Sequence, residues 1–117
     1  AYAVARALTA QRGAALVAPP SVHWEVGNAL SAMFKRRAVR LDEALAMLAA
    51  YARIPIRQAD VPLTQAVELC SELGTYAYDA YVICCALNQR SPLLTLDGGL
   101  AACARERGVR IVEVGSS

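Results

Sequence analysis

The hydrophobic and polar positions divide the chain into alternating helices and short strands. Apolar residues that recur every three or four positions predict amphipathic helices, and short continuous apolar runs predict buried strands. Gly13, Gly74 and Gly108 lie just past predicted helix ends, where glycine is common. The predicted helices cover residues 3–11, 22–37, 41–53, 64–73, 75–89 (with Thr75 as its cap) and 100–106, and the predicted strands cover residues 14–18, 54–58, 93–96 and 109–114.

This order of elements predicts an α/β sandwich, in which helices cover a mainly parallel sheet and the crossovers are right-handed. A length of 117 residues fits one domain and is too short for two. We expect a single domain over residues 1–114 and a loose tail over residues 115–117. The helices 22–37 and 41–53 are predicted to form an antiparallel pair.

Composition argues against a membrane-spanning protein and against a zinc-binding protein. Although 56% of the residues are hydrophobic, no apolar run approaches the ~20 residues that cross a bilayer, and no secretory signal opens the chain. We therefore expect a soluble, cytoplasmic protein without a membrane partner. The four cysteines form no Cys-x-x-Cys pair and His23 is the single histidine, so a zinc site is not indicated and the cysteines are interpreted as reduced packing residues.

Charge is less informative than composition. A net charge of +2 does not by itself indicate nucleic-acid binding. Basic residues cluster at positions 35–40 and again at positions 105–110. Either cluster can be a solvated helix end that complements the helix dipole, or a contact for phosphates or an acidic partner.

Three acidic residues occur where carboxylates need an explanation. Asp79 lies in an apolar stretch over residues 75–83, and Asp97 ends the apolar run that begins at residue 92. Carboxylates are rarely buried unless they are paired or bind a metal. Helical spacing directs Asp79 and Glu25 towards the core, whereas Asp97 follows a strand, where ligands of open α/β sheets bind.

We expect Glu25, Asp79 and Asp97 to converge at one end of the sheet. Clustered anions raise each other's proton affinity unless a cation neutralises them, and oxygen ligands favour Mg²⁺ or Mn²⁺. Such an ion supports hydrolysis of a phosphodiester. Taken singly, each acid has a simpler interpretation: Glu25 as a helix-start charge, Asp79 as a residue favoured by the helix dipole, and Asp97 as a turn former before glycines.

Three segments together resemble the PIN-domain ribonucleases, and among them the VapC-type toxins of prokaryotic toxin–antitoxin pairs. These segments are residues 18–30 (APPSVHWEVGNAL), residues 75–82 (TYAYDAYV), and residues 94–97 (LTLD) followed by residues 108–112 (GVRIV). Each motif is weak alone, but their order and spacing are fairly specific.

The resemblance implies a three-layer α/β/α fold and an endoribonuclease that depends on Mg²⁺ or Mn²⁺. The catalytic and metal-binding acids of the family match Glu25, Asp79 and Asp97, and a supporting threonine matches Thr75. The family also implies an RNA substrate, a homodimer and a cognate antitoxin, for which apolar surfaces beside the helix that carries Glu25 are candidate docking sites.

The chain departs from the family in one respect. PIN domains open with a central strand that ends in a metal-binding aspartate, and the sequence from Ala1 contains no such segment. We expect that strand to precede Ala1. In the family it lies between the strands that correspond here to residues 14–18 and 93–96, and its loss would leave backbone groups unpaired.

Two other functions remain open at this stage. A degenerate or truncated PIN-like domain could be a noncatalytic module that binds a partner protein. Another Mg²⁺-dependent α/β domain, one that transfers or hydrolyses phosphate, would use similar acids, because fold alone does not determine function.

Overall fold

The structure, a computed structural model, describes residues 16–112. The predicted helix over residues 3–11, the first residues of the strand predicted over 14–18, the end of the strand predicted over 109–114, and the tail lie outside the described residues. The described elements, in chain order, are β1 (Leu16–Ala18), α1 (Val22–Lys35), α2 (Leu41–Ala52), β2 (Ile56–Gln58), α3 (Leu63–Leu73), α4 (Ala77–Asn88), β3 (Leu93–Leu94), α5 (Gly98–Glu106) and β4 (Ile111–Val112).

The strands are parallel, as predicted, and they form two pairs. β1 pairs with β2, with Val17 opposite Arg57, and β3 pairs with β4, with Leu93 opposite Ile111. Within residues 16–112 no strand pairing joins the two sheets. The α/β fold class is confirmed. Over the described residues its parallel sheet is in two separate pairs of strands, and the gap lies between β1 and β3.

The main hydrophobic core lies where α3, α4 and α5 pack around β3. Its centre is on α4, where Ile83 and Cys84 are fully buried. Cys84 and Cys85 are buried free thiols, consistent with their interpretation as packing residues. The buried members of the cluster are Ala66, Leu69, Ala80, Ile83, Cys84, Ala86, Leu93, Leu100, Ala104 and Val109.

Some helix ends have the capping interactions that their sequence favours, and others do not. α3 ends at Gly74, whose φ of 65° is the left-handed conformation that glycine adopts without a steric penalty. Ser21 occupies the N-cap position of α1, but its side chain makes no capping hydrogen bond. The predicted cap of α4 is wrong: the cap residue is Tyr76, not Thr75, and it too makes no side-chain cap.

Helices α1 and α2 run antiparallel, as predicted. His23 in the first turn of α1 meets Tyr51 in the last turn of α2, with the tyrosine hydroxyl 2.9 Å from Nδ1 of the imidazole. The predicted apolar face of α2 is largely uncovered, however. Ala44 is buried, whereas Leu41, Leu45 and Leu48 are exposed, because no other described element covers this side of the helix.

Candidate functional site

The three predicted acids line one cleft between the two strand pairs. The cleft has a volume of about 620 Å³, and its walls include residues of β1 and β3 and the carboxylate-bearing residues Glu25, Asp79 and Asp97. β1 leads into α1 and β3 leads towards α5, so Glu25 and Asp97 lie beyond the carboxyl ends of two parallel strands. This is where open α/β sheets bind ligands.

Glu25 has a strongly raised pKa. It lies in the first turn of α1 and is half-buried. Desolvation by burial, and then the nearby negative charge of Asp79, raise the pKa of Glu25 from 4.5 to about 7. A raised pKa from these two causes is typical of a functional acid in a cleft, because the site favours either a proton or another cation on that carboxylate.

A residue in the segment that leads into α4 contacts the Asp79 carboxylate. It lies in the first turn of that helix and is half-buried, and Thr75 Oγ1 donates a hydrogen bond of 3.3 Å to Asp79 Oδ2. The threonine hydroxyl thus contacts the carboxylate itself instead of capping the helix. Its place next to Asp79 is the site-supporting position that the sequence resemblance implied.

Asp97 has a structural role in addition to its position in the cleft. It is the N-cap of α5, and its Oδ1 accepts a 3.1 Å hydrogen bond from the Leu100 N–H. Its own N–H donates to Thr95 Oγ1 at 3.1 Å. A Cβ at position 99 would lie 3.3 Å from Asp97 Oδ1, so Gly99 leaves room for the capping carboxylate.

The two aspartates are less buried than their apolar sequence context indicates. Among residues 16–112 no polar or charged residue is buried; Asp79 is half-buried and Asp97 is exposed. Apolar neighbours of both aspartates, among them Val82 and Leu94, also line the cleft. Glu25 and Asp79 lie in the first turns of α1 and α4, and Asp97 is the N-cap of α5, so the positive ends of three helix dipoles point towards this region.

The donor atoms suit a hard divalent cation, but their arrangement is incomplete. All three side chains offer carboxylate oxygens, which Mg²⁺ and Mn²⁺ prefer. Glu25 and Asp79 are close enough to interact, and a cation would remove the repulsion between them. In the described part of the chain, nevertheless, no group of three or more His, Cys, Asp or Glu residues is arranged to hold one ion.

The cleft also separates two strand edges that lack partners within residues 16–112. β1 pairs only with β2, and β3 pairs only with β4. Leu93 N donates to Arg110 O, so alternation along the strand directs the backbone groups of Leu94 the other way, towards the cleft. By the same alternation, Ala18 O accepts from Ala59 N and Val17 faces the cleft.

The two predicted basic clusters lie away from the acids. Arg36 follows the end of α1, about 16 Å along the helix from Glu25 at 1.5 Å per residue, and Arg105 is about 12 Å along α5 from Asp97. Arg107 forms an ion pair with Glu72 of α3. These cations are therefore not part of the acidic cleft.

Helical spacing left it open whether Tyr78 and Tyr81 are packing or base-stacking residues, and sequence reasoning missed their grouping with Trp24 beside the acids. Trp24 in α1 and Tyr78 and Tyr81 in α4 line a second pocket, together with Ser21 and Ala77. The sequence carried a signal for it: Trp24 directly precedes Glu25, and Tyr78 directly precedes Asp79. We name these five residues the aromatic pocket.

Comparison with known proteins defines the class of this chain. Residues 1–106 match the PIN domain family, and the chain therefore belongs to that family, a family of nucleases. No curated protein matches the chain significantly. Of the helices described between residues 16 and 112, none combines the length and apolar character needed to cross a membrane.

Proposed function

We propose that this PIN domain is a metal-dependent endoribonuclease and the toxin of a cytoplasmic toxin–antitoxin pair. The observation that supports the proposal most directly is the interaction of Glu25 with Asp79. Two helices bring these carboxylates together in a cleft that Asp97 also lines, and the pKa of Glu25 rises to about 7. An uncompensated acidic pair of this kind is destabilising unless a cation or a proton offsets the repulsion.

Asp79 and Asp97, with Glu25 directly or through water, are the residues that would hold Mg²⁺ or Mn²⁺. When bound, such an ion supplies an activated water and stabilises charge that develops on a phosphodiester. Thr75 fixes one oxygen of Asp79 through its hydroxyl. Asp97 uses Oδ1 as a helix cap, which leaves Oδ2 free to face the cleft.

The helix termini contribute a field that suits both the acids and a phosphate. Glu25 and Asp79 lie in first turns and Asp97 lies at an N-cap, so each carboxylate is near the positive end of a helix dipole. The same termini favour an anionic substrate. The cations around Arg36 and Arg105 would then contact phosphates farther along the RNA.

We further propose that a parallel strand fills the cleft and completes the site. Two strand edges that have no partner among residues 16–112 face a largely apolar space, and a strand between them would satisfy the inward-facing backbone groups of Val17 and Leu94. A carboxylate at the carboxyl end of that strand would lie beside Glu25 and Asp79. It would raise the number of acidic ligands to the four that the PIN resemblance implies.

Partner binding is part of the same proposal. The exposed side chains of Leu41, Leu45 and Leu48 form an apolar stripe on α2, next to the helix that carries Glu25. An amphipathic segment of the cognate antitoxin would dock on this stripe as a helix does in an apolar groove. We also propose a homodimer as the active assembly.

A noncatalytic interaction module is the second candidate. One observation favours it: in the described range, the acids do not form a group that could chelate an ion. The exposed leucines of α2 would then be the functional surface. This alternative predicts a protein that binds neither Mn²⁺ nor Mg²⁺ and does not cut RNA.

Titration of the purified protein with Mn²⁺, followed by incubation with a mixed RNA pool, separates the two candidates. Asp79→Ala removes one proposed ligand, and Asp60→Ala is the matched control, because Asp60 is exposed and lies outside the cleft. We expect Mn²⁺-dependent cuts from the parent and from Asp60→Ala, and a rate lower by about a hundredfold or more for Asp79→Ala. A folded protein that neither binds metal nor cuts RNA would instead support the interaction module.

A further inference from the structure

The aromatic pocket is an open notch between the first turns of α1 and α4. It has a volume of about 360 Å³. Trp24 comes from α1, and Tyr78 and Tyr81 come from α4, so the pocket exists only because the two helices that supply Glu25 and Asp79 begin side by side. Its geometry is therefore tied to that of the acidic pair.

The aromatic side chains are not simply core packing. Trp24 is 68% exposed and Tyr78 is 38% exposed, although both are large apolar surfaces that folding ordinarily covers. The rings of Tyr78 and Tyr81 meet edge to face, with centroids 6.0 Å apart and an interplanar angle of 84°. This contact holds the Tyr78 ring in place while leaving part of it open.

The pocket adjoins the acidic cleft through the chain itself. Trp24 and Glu25 are consecutive residues of α1, and Tyr78 and Asp79 are consecutive residues of α4. Consecutive helical residues point about 100° apart, so one side of each helix start faces the cleft and the next faces the aromatic pocket. If a phosphodiester of an RNA strand lies at the acids, a neighbouring nucleotide would lie against the aromatic rings.

The residues that line the aromatic pocket determine which part of a nucleotide binds there. The described residues that line the pocket have no charged side chain, and three of the five are aromatic, so their side chains offer ring faces instead of an ion pair with a phosphate. Exposed aromatic rings on rigid helices bind the faces of unpaired nucleobases by stacking, with little dependence on sequence. Bases in a duplex are already stacked and do not present a free face.

We propose that the aromatic pocket is a base-stacking subsite, which holds one unpaired nucleobase of single-stranded RNA next to the scissile phosphodiester. This inference rests on the proposed ribonuclease function and adds to it a binding site for the nucleobase beside the cleaved bond. Trp24 is the principal stacking residue, because its indole is the largest and most exposed ring, and Tyr78 is the second.

Binding, measured without cleavage, tests the subsite separately from the nuclease activity. Trp24 is the only tryptophan of the chain, so its fluorescence reports directly on the pocket. The probe is a short mixed-sequence RNA strand, alone or annealed to its complement, in EDTA without divalent ions, so that metal-dependent cleavage does not occur. We expect saturable quenching by the single strand and little quenching by the duplex.

Variants are compared by anisotropy of the same strand carrying a fluorescein label. Trp24→Ala should weaken binding by about tenfold, while Trp24→Phe, which keeps an aromatic face, should retain most of the affinity. Phe34→Ala is the matched control, since Phe34 is an exposed aromatic residue near the other end of α1 and outside the pocket. Circular dichroism checks that each variant is folded.

The outcomes separate this inference from the proposed function. If the wild-type protein cuts RNA but Trp24 is not quenched and Trp24→Ala binds normally, the subsite is wrong and the nuclease stands. If single strands quench Trp24 but no RNA is cut, the nuclease proposal fails, and the pocket is a stacking site for unpaired RNA with no scissile bond beside it. If Trp24→Ala changes only the sedimentation coefficient, the pocket is a protein contact and the inference is overturned.

Discussion

Asp79 lies close enough to Glu25 for its negative charge to raise the pKa of the glutamic acid, although desolvation is the larger cause. The two carboxylates come from different helices, so the interaction joins the start of α1 to the start of α4 across the cleft. Their relationship gives the candidate site a measurable property that does not depend on knowing the substrate.

Stability without divalent ions should fall as pH rises from about 4.5 to about 7. The folded protein holds a proton on Glu25 up to about pH 7, whereas the unfolded chain releases it near 4.5. The folded state therefore binds more protons within this window, and the free energy of unfolding decreases with pH there. Urea unfolding at a series of pH values, comparing the parent with Glu25→Gln, measures the effect.

In Glu25→Gln this contribution to the pH dependence should disappear. Asp79→Asn should lower the pKa of Glu25 only in part, because desolvation remains. NMR titration of the Glu25 carboxyl carbon would reveal the residual shift. A Glu25 pKa that returns fully to 4.5 in Asp79→Asn would contradict the order of the two causes.

Two substitutions at Asp97 should separate its charge from its role as a helix cap. Asparagine caps helices about as well as aspartate, so Asp97→Asn should keep the hydrogen bond to Leu100 N–H and leave stability nearly unchanged. Asp97→Ala should lose about 1 kcal/mol of unfolding free energy. Denaturant unfolding measures both variants.

RNA cleavage by the same two variants then tests the proposed metal role. Both should lose Mn²⁺-dependent cutting, because both lose the carboxylate charge. Asp97→Asn is the informative variant, since it is expected to be inactive and stable at once. Retained cutting by Asp97→Asn would assign Asp97 to capping alone.

Thr75 should act on the site through Asp79. Its hydroxyl donates to Asp79 Oδ2, and valine has nearly the same shape without the hydroxyl. We expect Thr75→Val to reduce RNA cutting by about tenfold and to raise the Mn²⁺ concentration needed for half-maximal rate, as loss of a ligand's hydrogen-bond partner usually does. Thr75→Ser, which keeps the donor, should restore both values; an inactive Thr75→Ser would show that the hydroxyl is not what matters.

The sequence predicted the order of elements well, because helical periodicity and short apolar runs are local signals. It also predicted that Glu25, Asp79 and Asp97 lie at one end of the fold, since each acid follows a strand or begins a helix. The family resemblance implied apolar docking surfaces beside the helix that carries Glu25, but periodicity did not show that α2 has an open face, because an apolar stripe carries no information about whether another element covers it. The sequence did not predict that Trp24 and Tyr78 line one pocket, because this depends on how the starts of two helices that are distant in sequence pack together.

Residues Ile83 and Leu45 should differ sharply in their importance for stability. Ile83 is fully buried in α4, whereas Leu45 on α2 is 55% exposed. Ile83→Ala removes buried methyl groups and leaves a cavity, and we expect a loss of about 2–5 kcal/mol of unfolding free energy. Leu45→Ala should change stability by about 0.5 kcal/mol or less in urea unfolding.

If Leu45→Ala destabilises the isolated protein as strongly as Ile83→Ala, the exposed stripe of α2 is covered in solution. The proposed homodimer would then be the first explanation to test. Sedimentation of Leu45→Ala against the parent would decide it, because loss of a dimer contact lowers the sedimentation coefficient as well as the stability.

Hydrogen exchange at the edges of the cleft should reveal whether a strand fills it. The amides of Val17 and Leu94 face the cleft, and a parallel strand between β1 and β3 would protect them from exchange. Gln58 is the internal control, since alternation along β2 directs its amide away from β1. NMR-detected exchange on the full-length protein should find Val17 and Leu94 slow and Gln58 fast. If all three amides exchange equally fast, the cleft is open to water, and the acidic site lacks the fourth carboxylate that we propose.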